Sequence, residues 1–297
     1  MTIIMPNDYH ARKELVNHGI YCITEETALK QDIRALRIGI LNIMPKAEEY
    51  EFKVLHPLGR TLIQIEPVWI RLRNHVYNST DKNHLFNLYQ YFDDAIAERH
   101  LDGLIVTGAP VESIGFEEVN YWDEVVELLE YARQNIASTL GLCWGGFALA
   151  KVLGIDKQPY REKLFGVFET RNISRGHRIT GDVDDIFWCP QSRHSYIPDD
   201  VMEDARDRGI VNLLAHSHAA GYVIFESADH RFLVHLGHPE YDAERLVGEY
   251  IRDRDIGRVD VDRPKNLDIN KPVNRWRGHS YEFFSQWIKY VYEETPY

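Results

Sequence analysis

The sequence predicts an α/β fold, with a mostly parallel sheet, helices on both faces and an antiparallel extension. Apolar strand-like runs alternate with amphipathic helical runs in the first half of the chain. These strands are continuously apolar, as is typical of strands that are covered on both faces. After residue 163 the pattern changes to short β-like runs separated by turn residues, which indicates antiparallel strands.

The predicted parallel sheet depends on strands and helices that alternate before residue 160. The first strand ends at Pro45, which lacks the N–H that a further ladder bond would need. The longest helix carries Val125, Leu128, Leu129 and Ala132 at helical spacing on one face. We predict strands over 37–44, 62–70, 101–107 and 136–140, and helices over 87–99, 121–135 and 148–153.

The second half of the chain is predicted to extend the sheet and to end in a helix. A helix over 243–254 precedes a loop over 259–273, which is rich in Asp, Asn, Pro and Lys. The closing helix, over 281–292, has aromatic residues on most faces, which must be buried against the body or against a second subunit. The predicted β-like runs are 164–170, 178–181, 211–215, 222–225 and 232–236.

The chain is predicted to form one domain. Its 297 residues can bury a full core, and neither an internal repeat nor a linker divides them. We distinguish an N-terminal extension (1–35), an α/β core (36–258) and a C-terminal loop and helix (259–297). The aromatic C-terminal helix is compatible with a homodimer.

Composition narrows the class of protein. Hydrophobic residues make up 44% and aromatic residues 12% of the chain, which excludes a disordered protein. A net charge of −12 argues against nonspecific binding to nucleic acid, which requires a basic surface. The three cysteines are too scattered for a disulfide framework or a zinc site, and no stretch has the roughly 18 apolar residues of a membrane helix. We expect a soluble, cytoplasmic protein without a metal site.

A cysteine stands between a predicted strand and a predicted helix. Gly141-Leu142-Cys143-Trp144-Gly145 is typical of a nucleophile elbow, in which the small glycines permit a tight turn. The unpaired N–H groups and positive end of the following helix favour a thiolate and can hold a developing oxyanion. Cys143 is therefore the candidate nucleophile, with a buried structural cysteine as the alternative.

A histidine and a glutamate at the end of a later strand complete a candidate triad. His238 is placed to take a proton from a thiol, and Glu240, two residues later, can orient the imidazole and stabilise its charged form. Pro239 between them restricts the backbone. A buried structural histidine is the alternative for His238 alone, but its combination with the elbow favours catalysis.

The candidate site residues share a position relative to the strands. Lys46, Gly108, Cys143 and His238 each stand just past the end of a predicted strand. Ligands bind at the carboxyl ends of the strands in open parallel sheets. These residues are therefore expected to converge on one edge of the sheet.

Further segments of the sequence indicate one family of proteins. These segments are 41–46, 102–110, 143–144, 162–164, 192–193, 237–242 and 287–297. Together with the Gly-x-Cys-x-Gly and His-x-Glu patterns, they resemble the homoserine O-acyltransferase family of methionine biosynthesis. That family belongs to the class I glutamine amidotransferase-like superfamily. The resemblance extends over nearly the whole chain and implies a flavodoxin-like α/β fold.

The resemblance also implies a reaction. Members of the family move an acyl group from acyl-CoA to the side-chain hydroxyl of homoserine through a thioester on the cysteine. By this resemblance Cys143 is the nucleophile, His238 the general base and acid, and Glu240 the carboxylate that orients His238. The acyl-CoA is a co-substrate rather than a permanently bound cofactor.

Four further residues match binding positions of the family. Lys46 matches a lysine at the site, where a cation suits CoA phosphates or the acyl oxyanion. Lys163, Ser192 and Arg252 match positions that hold the amino-acid acceptor, and a cation with a hydroxyl can hold a carboxylate and position an amine. A solvated surface lysine is the alternative for Lys46, and a surface salt bridge is the alternative for Arg252.

The acyl donor is predicted from Glu112. In the family, a glutamate after Gly-Ala-Pro-x marks users of acetyl-CoA, whereas a glycine there marks users of succinyl-CoA. A carboxylate in the acyl pocket fills space and repels the free carboxylate of a succinyl group. We therefore predict acetyl-CoA as the donor.

The acceptor stays open between two amino acids. The family usually has His and Tyr where Gln191 and His194 stand, and the segment after Lys46 lacks the family's glutamine. The turn after Cys143 is also altered. One methylene changes binding in an apolar pocket by only about 1–3 kcal/mol. L-serine, giving O-acetyl-L-serine for cysteine biosynthesis, is therefore the alternative to L-homoserine.

Two other classes of protein use this fold. A glutamine amidotransferase or glutaminase uses the same triad, but the sequence contains no synthetase domain. The residues 145–147 read Gly-Gly-Phe where Gly-His-Gln commonly follows the amidotransferase cysteine. A binding protein without catalytic activity would leave the Cys-His-Glu set unused. We therefore favour the acyltransferase, with no nucleic-acid or membrane partner.

Overall fold

The computed structural model describes residues 2–111 and 114–296, and these residues form a twelve-stranded sheet flanked by helices. The strands are β1 (Thr2–Ile4), β2 (Tyr21–Ile23), β3 (Leu36–Leu41), β4 (Gln64–Arg71), β5 (Gln90–Tyr91), β6 (Gly103–Val106), β7 (Ser138–Leu142), β8 (Gln158–Asn172), β9 (Ile186–Tyr196), β10 (Val211–Ser217), β11 (Gly221–Ser227) and β12 (Phe232–His235). The helices are α1 (Arg12–Asn17), α2 (Glu25–Ala28), α3 (Ala47–Leu58), α4 (Lys82–Leu88), α5 (Phe92–Glu98), α6 (Trp122–Asn135), α7 (Trp144–Val152), α8 (Asp199–Asp207), α9 (Ala243–Asp255) and α10 (Arg277–Glu294).

The strand order divides the sheet into a parallel part and an antiparallel part. The order is β2-β1-β4-β3-β6-β7-β12-β11-β10-β8-β9, and β5 pairs with β4. Pairings from β2 to β12 are parallel, whereas those from β12 to β9 are antiparallel. The predicted α/β fold with an antiparallel extension is confirmed. Within the part of the chain that is described, no helix has the length and apolar character needed to cross a bilayer.

Three parallel strands end at the same level of the sheet. Val106 of β6 pairs with Gly141 of β7, and Leu142 of β7 pairs with His235 of β12. The residues that follow these strands therefore meet at one edge. This register brings the Gly108, Cys143 and His238 segments together.

Alternate residues of the central strands pack against helices on opposite faces. Ile38 and Ile40 of β3 belong to a core that also contains Trp287 of α10. Leu41 belongs to the other core, together with Leu128 of α6. Because both faces of these strands are covered, their sequences are continuously apolar.

The aromatic C-terminal helix packs against its own sheet. Phe283, Trp287 and Val291 are fully buried, and the indole N–H of Trp287 donates to Ser138 Oγ at 3.1 Å. The aromatic surface that was compatible with a second subunit is thus largely buried within the chain itself. The N-terminal segment also joins the sheet, because β1 pairs with both β2 and β4.

Two predicted elements are wrong. The helix predicted over 87–99 is divided into α4 and α5, because Tyr89 is extended and β5 pairs with β4. The strand predicted over 178–181 is a turn, in which the Gly181 N–H donates to the His177 carbonyl at 2.7 Å. In both places tertiary contacts override the local pattern.

Several elements were not predicted, namely β1, α1, β2 and α2 in the N-terminal extension, α3 after Lys46, β5 within the predicted helix, and β9 and α8 in the second half of the chain. β9 contains Pro190 and a polar run from Gln191 to Ser195, so its sequence lacks the apolar character of a strand. These polar side chains are nevertheless buried. The loop predicted over 259–273 forms no helix or extended strand, although Lys265 bridges to Gly166.

Candidate active site

Cys143 is the single residue between β7 and α7. Its backbone has φ of 49° and ψ of −110°. This sparsely populated region costs a non-glycine residue on the order of 1–3 kcal/mol and is characteristic of functional sites. The helix predicted over 148–153 starts earlier, at Trp144, so Cys143 directly precedes its positive end.

Two glycines allow this tight turn to pack. A Cβ on Gly145 would lie 2.1 Å from the Val106 carbonyl oxygen, and one on Gly141 would lie 2.7 Å from the Gly145 carbonyl carbon. Both contacts are with backbone, which cannot move aside easily. The glycines therefore let α7 approach the sheet closely enough to place Cys143 at its edge.

His238 connects Cys143 with Glu240. Its Nδ1 lies 2.8 Å from Glu240 Oε1, and its ring also makes a side-chain hydrogen bond with Cys143. All three residues are buried. The ring of Tyr241 stacks on His238 with 4.0 Å between the ring centroids. The structure thus brings the three predicted triad residues into contact.

The pKa of His238 is raised well above its usual value. Burial opposes this shift, because a buried imidazolium loses its hydration. The negative charges of Cys143 and Glu240, together with their hydrogen bonds, outweigh burial. The surroundings of His238 therefore favour its imidazolium form more than water does.

Tyr50 of α3 adds a fourth side chain to this arrangement. Its hydroxyl donates to Glu240 Oε1 at 2.8 Å, the same oxygen that lies against His238. Glu240 Oε2 has no hydrogen-bond partner among the described residues. Burial and the charge of Glu240 raise the pKa of Tyr50 well above 10, so the hydroxyl remains a donor. Sequence analysis missed Tyr50, whose only signal is its place in the altered segment after Lys46.

A cavity of about 50 Å³ lies beside the reactive residues. A Cβ on Gly108 would come within 3.5 Å of His238 Cε1 and 3.8 Å of Cys143 Cβ, so glycine keeps this side of the pair open. The cavity is lined by Met44, Pro45, Gly108, Ala109, Pro110, Cys143, Lys163, Ser192, His238, Tyr241, Glu249 and Arg252.

The cavity wall contains a buried group of charges. Ser192 Oγ donates to Glu249 Oε2 at 2.5 Å. Lys163 Nζ lies 2.7 Å from Asp253 Oδ2 and 3.9 Å from Glu249 Oε2. Arg252 is half exposed and bonds through its guanidinium to Asp253 at 2.7 Å. The predicted Lys163, Ser192 and Arg252 are thus brought into one cavity with Cys143.

Glu249 is a permanent negative charge in this wall. Burial would raise its pKa, but the neighbouring Lys163 and Arg245 lower it to about 2. Sequence analysis missed Glu249. Its signal was the position three residues before Arg252 on the helix that follows His238, which places both on one side of α9.

One predicted residue, Lys46, does not line the cavity. Lys46 caps α3 in a left-handed conformation, and its exposed ammonium group pairs with Glu49 at 3.0 Å. Pro45, its neighbour, lines the cavity instead. Glu112 lies outside the described residues.

Two residues that differ from the family's usual ones, Gln191 and His194, contact side chains that do not line the cavity. Gln191 Nε2 donates to Cys189 Sγ at 3.2 Å, and its Oε1 accepts from Arg193 Nε at 2.8 Å. His194 Nδ1 lies 3.4 Å from an Asp260 oxygen. Neither Gln191 nor His194 is among the residues that line the cavity.

Solved structures share the fold at low sequence identity. A glutamine amidotransferase from Thermotoga maritima matches with a TM-score of 0.54 and 12% identity, covering 87% of this chain and 99% of that one. A glutamine amidotransferase from Methylobacillus flagellatus matches with a TM-score of 0.52 and 13% identity, covering 87% and 96%. At these identities the likeness shows the glutamine amidotransferase-like fold alone.

Sequence relatives are closer and cover the whole chain. The chain is 40% identical over 304 residues to a homoserine O-acetyltransferase of Bacillus cereus, with coverage of 100% of this chain and 99% of the relative. A homoserine O-acetyltransferase of Bacillus mycoides matches to the same extent. The family model described as homoserine O-succinyltransferase matches residues 2–297. The chain therefore belongs to the homoserine O-acyltransferase family and is an acyltransferase.

Proposed function

We propose that the protein transfers an acetyl group from acetyl-CoA to the hydroxyl of L-homoserine through a thioester on Cys143. One observation carries the proposal: Cys143, His238 and Glu240 are in contact at a small cavity whose wall contains ionised groups suited to an amino acid. The names of the curated relatives support this donor and this acceptor.

The first half of the reaction forms the acetyl-enzyme. The Cys143 thiolate attacks the thioester carbonyl of acetyl-CoA, and the C–S bond to CoA breaks. The imidazolium of His238 gives its proton to the departing CoA thiolate. We assign stabilisation of the oxyanion to the N–H of Trp144, because it is the first residue of α7.

The second half transfers the acetyl group to the acceptor. In the acetyl-enzyme Cys143 carries no charge, so the imidazolium of His238 loses one of its two main stabilising charges. Neutral His238 then takes the proton of the acceptor hydroxyl, whose oxygen attacks the acetyl carbon. Cys143 leaves as the thiolate, which restores the initial ion pair. One histidine thus serves as acid and then as base.

The charges of the cavity wall fit the ends of an amino acid. Glu249, a permanent carboxylate, is suited to bind the ammonium group of the acceptor. The half-exposed Arg252 is suited to bind its carboxylate. Lys163 holds Asp253 and Glu249 in place, and Ser192 fixes the orientation of Glu249. Lys46, exposed beside Pro45, is suited to the phosphates of CoA once it leaves Glu49.

We propose homoserine rather than serine as the acceptor. The altered residues Gln191 and His194 do not line the cavity, so they give no reason for a smaller acceptor. The altered glycines after Cys143 serve the packing of α7 on the sheet.

We expect purified protein to release free CoA from acetyl-CoA when L-homoserine is present, and not when L-serine or no acceptor is present. A thiol-reactive dye measures the CoA, and Cys143→Ala serves as the inactive control. Turnover with serine alone would assign the enzyme to cysteine biosynthesis. Glutamine hydrolysis without CoA release would contradict the proposal.

Replacing Glu112 is expected to change the acyl donor. Glu112→Gly removes a carboxylate that repels a succinyl group, so the ratio of kcat/KM for succinyl-CoA to that for acetyl-CoA should rise. Glu112→Gln, which keeps the size and removes the charge, separates repulsion from bulk. The same donor ratio in wild type and both variants would contradict the role of Glu112.

The pKa of His238 is expected to fall in Cys143→Ala. The thiolate charge that raises this pKa is then absent, whereas burial still lowers it. NMR titration of the His238 ring measures the shift. Cys22→Ala, which removes a buried thiol on β2, is the matched control and should leave the pKa unchanged. An unaltered His238 pKa in Cys143→Ala would argue against the ion pair.

Tyr50→Phe is expected to lower kcat by about tenfold, since a hydrogen bond to a charged group contributes roughly 1.5–3 kcal/mol. The charge of Glu240 then acts more fully on His238, so the limb of the kcat profile that reports neutral His238 moves to higher pH. The KM for homoserine should change little, because Tyr50 does not line the cavity.

Tyr9→Phe is the matched control for Tyr50→Phe. Tyr9 donates to the buried carboxylate of Glu51 at 2.5 Å, so its removal costs the same type of bond outside the triad. We expect Tyr9→Phe to lower the free energy of unfolding without moving the pH profile. A Tyr50→Phe profile that superimposes on wild type would mean that Tyr50 only packs.

A further inference from the structure

A second and larger cavity, of about 430 Å³, adjoins the loop that carries Glu240. Its walls are formed by the C-terminal half of α3, the start of α10 and the segment from Pro239 to Asp242. Its volume lies within the range of sites for small organic ligands. The acyl-transfer reaction proposed above makes no use of it.

Some of the basic groups in this cavity form salt bridges and others do not. Lys53 pairs with Asp242, whose other oxygen caps α9. Arg60 and Arg277 make no salt bridge with a carboxylate in the described part of the chain. Arg60 bonds instead to the His18 carbonyl and to His56, and its Nε is buried without a partner among the described residues. Within those residues, two guanidinium groups thus lack a counter-ion, although the chain has a net charge of −12.

The remaining carboxylates of the lining are Glu240 and Glu244. Glu240 Oε1 accepts from Tyr50 and lies against His238, and Glu244 is exposed. The charged neighbours with the largest effects on the half-buried His56 are Arg60, His18, Lys53 and Arg277, all of which oppose its protonation. Burial and these groups lower the pKa of His56 to about 4. The His56 end of the cavity is therefore electropositive.

The start of α10 adds to this potential. Arg277 is the first residue of this 18-residue helix, and Ser280 and Tyr281 of its first turns also line the cavity. The first turn contains no acidic residue. Its unpaired N–H groups and positive dipole end therefore have no intrahelical counter-charge, a condition that favours a bound anion.

We propose that this cavity binds a small polyanion, with phosphate or carboxylate oxygens held by Arg60, Arg277 and the first turn of α10. Guanidinium groups suit such oxygens because their N–H groups form paired hydrogen bonds. The site is separate from the acyl-transfer cavity, since only Tyr241 lines both.

Isothermal titration calorimetry with pyrophosphate and with citrate tests the proposal. It also distinguishes binding of phosphate groups from binding of carboxylate groups. We expect one saturable site per chain for at least one probe. Arg277→Gln should weaken binding roughly fivefold or more, because it removes a charge-assisted contact. Arg277 is exposed, and circular dichroism verifies that the variant folds.

Two variants serve as matched controls. Lys289→Gln removes an exposed charge from the same helix, about 18 Å further along its axis. Lys46→Gln removes the cation at the rim of the acyl-transfer cavity. Both should bind the probe as wild type does. Loss of binding in Lys46→Gln with none in Arg277→Gln would place the anion at the acyl-transfer cavity and overturn the proposal.

His56 provides a second readout that does not depend on activity. A bound anion offsets the surrounding cations, so the His56 ring should titrate at higher pH when the probe is present. NMR titration with and without pyrophosphate or citrate measures this shift. No saturable binding of either probe, or an unmoved His56 in the presence of bound probe, would overturn the proposal.

Discussion

The close approach of α7 to the sheet is the constraint on which the active site depends. Gly145 lies against the Val106 carbonyl, where no side chain fits. This contact brings the helix to the end of β7 with a single residue, Cys143, between them. The left-handed backbone of Cys143 is the strain that results, and it directs the thiol toward the cavity. The parallel register then brings His238 to the same edge.

Buried charge is concentrated around this edge, and each member is compensated by a neighbour. Burial alone would neutralise Glu249, yet Lys163 and Arg245 keep it ionised. Lys163 is in turn neutralised by Asp253. Burying a paired charge contributes little to stability, whereas an unpaired one is strongly destabilising. Such a network is therefore not explained by its contribution to stability, and it is consistent with the proposed binding of an amino acid.

Sequence analysis identified the features that have a local sequence pattern and missed those that depend on contacts between distant parts of the chain. The central strands were predicted because burial on both faces makes them continuously apolar. Cys143, His238 and Glu240 were predicted because their signals lie within a few residues of a strand end. Tyr50 and Glu240 are 190 positions apart, and only the folded chain shows their hydrogen bond. β9 was missed because its buried side chains are polar and find partners that no pattern reveals.

Helix α3 connects the two cavities. Lys46 caps the helix, and Tyr50 and Lys53, three residues apart, lie on one face of it. Lys46 stands at the rim of the acyl-transfer cavity, Tyr50 bonds to the triad carboxylate, and Lys53 pairs with the residue that caps α9. His56, three residues further on, lines the second cavity. An anion there would act on the helix that fixes Glu240. Helix α3 therefore carries side chains that belong both to the candidate triad and to the proposed anion site.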